Sequence, residues 1–111
     1  MAGNGAAALE ITDHNFGDLI EGSGNLAMVD FWAEWCGPCR LVGPVVEELA
    51  GDYQGRVSVG KLDVDANPDT ASRFNVRSIP TILFFKGGEL VDTVVGALPK
   101  AALEQKIQEH I

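Results

Sequence analysis

Cys36 and Cys39 are the chain's two cysteines, and only Gly37 and Pro38 stand between them. A thiolate is the nucleophile of disulfide exchange, so that chemistry needs a cysteine with a lowered pKa and an accessible sulfur. The first turn of a helix supplies both, through unpaired backbone N–H groups and the positive end of the dipole. Cys36 follows the apolar run Leu26–Trp32. It heads a segment in which Leu41, Val42, Val45, Val46, Leu49 and Ala50 recur at helical spacing, opposite Arg40, Glu47 and Glu48. A helix is therefore expected from Cys36 onward, with Cys39 one turn along and within reach of the same space. In that geometry Cys36 attacks a substrate disulfide and Cys39 resolves the mixed disulfide by attacking Cys36. Gly37 leaves room for a substrate backbone, and Pro38 fixes φ where the N–H is expendable.

Other uses of two cysteines are weaker. A structural zinc ion takes four ligands, and the two histidines, His14 and His110, show no ligand spacing to the pair, so no metal is expected. A disulfide closing so short a loop stabilises little. Asp30 interrupts the apolar run six residues before Cys36, where burial should raise its pKa. It is either a paired structural acid or a proton acceptor beside a reactive thiol. Lys61 shares a strand face with Val57 and Val59, as an edge charge or as the partner of a buried acid. Pro80, after Ile79, reads as a strand-initiating proline. Trp32 and Trp35 have the core as their ordinary place, although Trp35 adjoins Cys36. Pro44 is a kink and packing residue, and Asp63 and Asp65 are a solvated strand end.

These residues need elements to position them. Leu9–Ile11 is a short strand candidate, then Thr12 or Asp13 caps a helix with Phe16, Leu19 and Ile20 on one face, stopped by Gly22-Ser23-Gly24-Asn25. Leu26–Trp32 reads as a central strand buried on both faces. Val57–Val64 is a third strand, and Asn67-Pro68 opens a short helix reaching Phe74. Thr81–Lys86 and Glu89–Val95 flank Gly87-Gly88 as an antiparallel hairpin. Pro99 opens a terminal helix with Leu103, Ile107 and Ile111 on one face. The order βαβαβαββα gives an α/β domain in which helices cover a mixed sheet. The expected layout is an N-terminal extension over residues 1–8 and a single domain over 9–111.

The segment Val29-Asp30-Phe31-Trp32-Ala33-Glu34-Trp35-Cys36-Gly37-Pro38-Cys39 resembles the active-site segment of the thioredoxin family. Lys61-Leu62-Asp63-Val64-Asp65, Ile79-Pro80-Thr81, Lys86-Gly87-Gly88 and Val95-Gly96-Ala97 resemble further family segments in the expected order, so the likeness runs from about Ile11 to the end. Arg40 stands where Lys is common. The resemblance implies the thioredoxin fold, a central mixed five-stranded sheet flanked by four helices. It implies that Asp30 accepts the Cys39 proton, with Lys61 nearby, and that the Ile79-Pro80 bond is cis and faces the cysteines. It also implies a mostly apolar contact surface of Trp35, Gly37, Pro38, Ile79, Gly96 and Ala97 around the sulfurs, and no bound cofactor. NADPH is then used indirectly, through the flavoprotein thioredoxin reductase. The implied clients are enzymes of the ribonucleotide reductase, peroxiredoxin and methionine sulfoxide reductase types.

Uncharged Gly37 and Pro38 favour a protein-disulfide reductant, since a histidine between the cysteines would stabilise the thiolate and make the disulfide more oxidising. An oxidase or isomerase, and an interaction subunit that binds without redox turnover, are the alternatives. The 111 residues suffice for one core, and 46% hydrophobic with 22% charged residues is a globular composition. A formal charge of -8 repels phosphate backbones and anionic lipid, so neither nucleic acid nor membrane is an expected partner. A cytoplasmic protein is expected, because residues 1–8 carry no basic residue and no secretory apolar run; that compartment is reducing, which favours a catalytic, redox-sensing or metal-binding cysteine pair over a structural staple. A monomer is expected.

Overall fold

The computed structural model describes residues 7–111. Along them run β1 (Leu9–Ile11), a π-helix (Gly17–Glu21), β2 (Leu26–Trp32), α1 (Cys39–Asp52), β3 (Val57–Asp63), α2 (Pro68–Arg73), β4 (Thr81–Lys86), β5 (Glu89–Val95) and α3 (Lys100–His110). The five strands form one sheet in the order β1-β3-β2-β4-β5. β1, β3 and β2 run parallel, and β4 and β5 are antiparallel to their neighbours. Gly87 and Gly88 turn the last hairpin with φ of +61° and +83°, a pair of left-handed conformations that residues with a Cβ resist.

β2 is the middle strand, and its alternation divides the core in two. Leu26 and Met28 pack with Val42, Val46 and Leu49 of α1 and Leu103 and Ile107 of α3. Ala27, Val29 and Phe31 pack on the other face with Phe16, Ile20 and Ala71. By the same parity Asp30 belongs to the α1 face, and the ladder sets it directly opposite Lys61. The strand-helix-strand connection β2-α1-β3 thus brings an acid, a base and the start of a helix to one end of the sheet.

Several local expectations are corrected. Regular helix α1 begins at Cys39, three residues later than expected; Cys36 lies in the turn before it, and Pro38 holds the N-cap position. Leu41, expected on the buried face, is 71% exposed. The first helix is wound as a π-helix, with the Gly22 N–H donating to the Gly17 carbonyl at 2.8 Å. That wider winding carries Leu19 off the face shared by Phe16 and Ile20 and leaves it exposed. Thr12, not Asp13, closes the entry to it: the Thr12 N–H donates to Asn15 Oδ1 at 2.8 Å and the Asn15 N–H to Thr12 Oγ1 at 3.1 Å. Ile111 follows the end of α3 and is exposed. Of the extension expected over residues 1–8, residues 1–6 lie outside the described residues, whereas Ala7 and Ala8 donate their N–H groups to Glu47 Oε1 at 2.8 and 2.9 Å.

Candidate active site

Cys36 and Cys39 are disulfide-bonded, with Cα atoms 5.3 Å apart. The Cys39 N–H points at Cys36 Sγ, 3.2 Å away. An orphan N–H at the start of α1 thus reaches the sulfur even though Cys36 is not itself helical. Such a donor favours a thiolate once the disulfide opens. The next N–H groups are otherwise engaged, Arg40 with the Gly37 carbonyl and Leu41 with that of Pro38. Against expectation Cys36 is not open to solvent: it is 4% and Cys39 5% exposed, packed with Ala33 and flanked by Trp32, Val64 and Ile79.

The Ile79-Pro80 peptide bond is cis. The Ile79 carbonyl oxygen lies 3.7 Å from Cys36 Sγ, which brings that bond to the cysteines. The Gly96 N–H donates to the Pro80 carbonyl at 2.9 Å, so the end of β5 adjoins the same loop. Trp35 (68% exposed), Gly37, Pro38 and Ala97 face solvent, Ile79 and Gly96 are half-buried, and Pro80 is buried. Pro44 lies inside α1 but at the surface. It lines a cleft of about 590 Å3 with Trp32, Cys39, Gly43, Glu47 and Lys61.

Asp30 is fully buried, and neither of its carboxylate oxygens has a hydrogen-bond partner among the described residues. Burial pushes its pKa up to about 7, against the opposing pull of the Lys61 charge. The expected pairing with Lys61 is one of register and field only. The ammonium makes its ion pair with Glu47 Oε2, at 3.8 Å, and stands 5.2 Å from the centre of the Trp32 ring.

Two contributors escaped the sequence reading. Asp65, expected to be merely solvated, accepts a 2.8 Å hydrogen bond from Trp35 Nε1 and so fixes the exposed indole beside the cysteines. Glu47, read as part of the polar face of a helix, is the ion-pair partner of Lys61. Neither had a signal in the sequence, because each partner is far along the chain.

A mixed sheet of this topology, carrying a closed dithiol at the start of a helix beside a cis-proline loop, defines a thiol-disulfide oxidoreductase. The thioredoxin family profile matches residues 7–109, and the chain belongs to the thioredoxin family. It is 57% identical over 102 residues to thioredoxin 2 of Chlorobaculum tepidum, covering 92% of this chain and 94% of the relative. It is 55% identical over 105 residues to the thioredoxin of Staphylococcus saprophyticus (95% and 99% covered). Identity to thioredoxin 1 of a Nostoc species is 49% over 106 residues (96% and 99% covered). The fold is the five-stranded, four-helix arrangement expected, and the activity is that of a protein-disulfide reductase. Its redox centre is the cysteine pair, without a prosthetic group, and its partners in general are thioredoxin reductase and client proteins. Among the described residues no helix is long and apolar enough to cross a membrane.

Proposed function

We propose that this chain is a general cytoplasmic reductant of protein disulfides, acting as a monomer with one domain over residues 9–111. The Cys36 thiolate attacks a substrate disulfide, forming a mixed disulfide and releasing one substrate thiolate. Cys39 then loses its proton to Asp30 and attacks the Cys36 sulfur, and the second substrate thiolate leaves. One disulfide is broken and one formed, two electrons pass to the client, and the departing thiolates take up protons from Asp30 and solvent. Lys61 sets the field at Asp30. Trp35, Gly37, Pro38, Ile79, Gly96 and Ala97 make the client surface, with Pro80 shaping it from beneath, Trp32 packing behind the pair and Pro44 lining the cleft beside it. An NADPH-dependent thioredoxin reductase re-reduces the Cys36-Cys39 disulfide. Its clients are of the ribonucleotide reductase, peroxiredoxin and methionine sulfoxide reductase types.

The observation that carries this division of labour is the hydrogen bond from the Cys39 N–H to Cys36 Sγ. It favours negative charge on the Cys36 sulfur and leaves Cys39 as the thiol that must be deprotonated. The test is equilibration with a dithiol buffer of known potential, followed by alkylation and mass measurement, together with trapping by single variants. A strongly reducing couple is expected, with Cys39→Ser accumulating mixed disulfides through Cys36 and Cys36→Ser accumulating none. A couple as oxidising as that of a disulfide isomerase, about -180 mV, would move the reading to oxidase or isomerase.

A further inference from the structure

Lys61 stands where two clefts meet. The larger, about 590 Å3, reaches Cys39; the second, about 250 Å3, is bounded by Ala8, Ile11 and Asn67; Trp32, Glu47 and Lys61 line both. Within this junction the Glu47 carboxylate is held from two sides. Its Oε1 accepts the backbone N–H groups of Ala7 and Ala8, and its Oε2 faces the Lys61 ammonium at 3.8 Å. The ammonium is further confined by the Trp32 ring and by the backbone at Gly43, where an added Cβ would come within 3.5 Å of it. Directly across the ladder, Asp30 is the one buried carboxylate among the described residues, and it has neither an ion pair nor a hydrogen bond.

We propose that Glu47 is a positioning residue for the exchange reaction: by holding the Lys61 ammonium to itself it withholds a direct ion pair from Asp30, and so leaves the Asp30 carboxylate free to receive the Cys39 proton. The inference rests on the reading of Asp30 as the acceptor of the Cys39 proton. An ammonium hydrogen-bonded to a buried carboxylate favours its ionised form more than one held by another acid, because the Coulomb energy falls with distance and the hydrogen bond to the charged form is lost. The other groups facing this cluster do not replace Glu47. Glu10 of β1 lies beside Lys61 in register but is exposed, and Asp63 of β3 accepts the Asp65 N–H at 2.9 Å. Glu34 and Arg40 line the larger cleft, where the Arg40 guanidinium donates to the Glu34 carbonyl at 3.0 Å. β4 offers only Ile82 opposite Asp30.

The experiment follows the Asp30 side-chain carboxyl carbon by NMR from pH 4 to 10 in the oxidised protein, with Glu47→Gln, Lys61→Met and the double variant. Glu47→Gln keeps the size of a side chain that is 26% exposed. Glu47→Ala provides a second test should the first not fold. Removal of the Glu47 charge is expected to lower the Asp30 midpoint by about half a pH unit or more. In the Lys61→Met background the same change should lower it far less, because the effect passes through the ammonium. The pH profile of mixed-disulfide resolution should move to lower pH with the midpoint. An unmoved midpoint, or an equal fall with Lys61 absent, overturns the inference. The underlying reading fails separately, through a resolution profile that Asp30→Asn leaves unchanged.

Discussion

Asp30 is the residue whose chemistry most depends on its surroundings. Burial raises its pKa to about 7 from an ordinary 3.8, with Lys61 opposing. The folded chain therefore holds a proton between those values that the unfolded chain has released. Stability from this residue is full below the unfolded value and is lost as pH rises through about 7. Asp30→Ala should accordingly leave stability nearly unchanged at pH 4 and raise it on the order of 4 kcal/mol above pH 8, less the cost of the small cavity. Urea denaturation across that range measures the difference, and a gain independent of pH would contradict the account. The same variant should slow resolution of the mixed disulfide. The position of Asp30 in an apolar run made its burial legible in the sequence. That Lys61 turns to Glu47, and that Asp65 holds the Trp35 indole, were not legible, because hydrogen bonds and ion pairs between distant residues leave no local pattern.

At the scale of elements, helix α2 is capped from elsewhere in the chain. Its own cap residue, Asn67, makes no side-chain cap bond. Asp13 serves instead, accepting the Thr70 N–H at 2.8 Å, the Thr70 hydroxyl at 2.6 Å and the Asp69 N–H at 3.2 Å. Burial pushes the Asp13 carboxyl upward, but these hydrogen bonds from Thr70 and Asp69 outweigh it and hold the pKa below the ordinary value. Stability from Asp13 is thus present above that ordinary value and is lost as pH falls through the depressed one. Asp13→Ala should cost about 1 to 2 kcal/mol at pH 7 in chemical denaturation, a difference that narrows below about pH 4. A loss that persists undiminished in acid would mean that Asp13 does not cap α2. The sequence reading placed Asp13 beside the nearest helix, since capping is ordinarily a local matter. The π-helix escaped it for a related reason: Phe16, Leu19 and Ile20 fit ordinary helical spacing, and nothing in that pattern marks the wider winding.

For the whole molecule, the charge of -8 is a property that clients meet before contact. Exchange with a client whose disulfide lies in a basic patch should slow as ionic strength rises from about 0.01 to about 1 M, as the screening length shrinks from about 30 to about 3 Å. A client with an acidic patch should show the opposite slope in stopped-flow measurement. Equal slopes for both clients would remove the steering argument.

The sequence by itself determined the layout of strands and helices, the hairpin at Gly87-Gly88 and the reactive pair. Hydrophobic period, glycine conformation and cysteine spacing are local properties, each written within a few residues. Only the tertiary structure decided that helix α1 starts at Cys39 while its first free N–H still reaches Cys36, that both sulfurs are covered, and that Lys61 faces Asp30 but binds Glu47. Those outcomes depend on which distant groups the sheet register and the crossover helix bring within hydrogen-bonding distance, and no stretch of the chain carries that information alone.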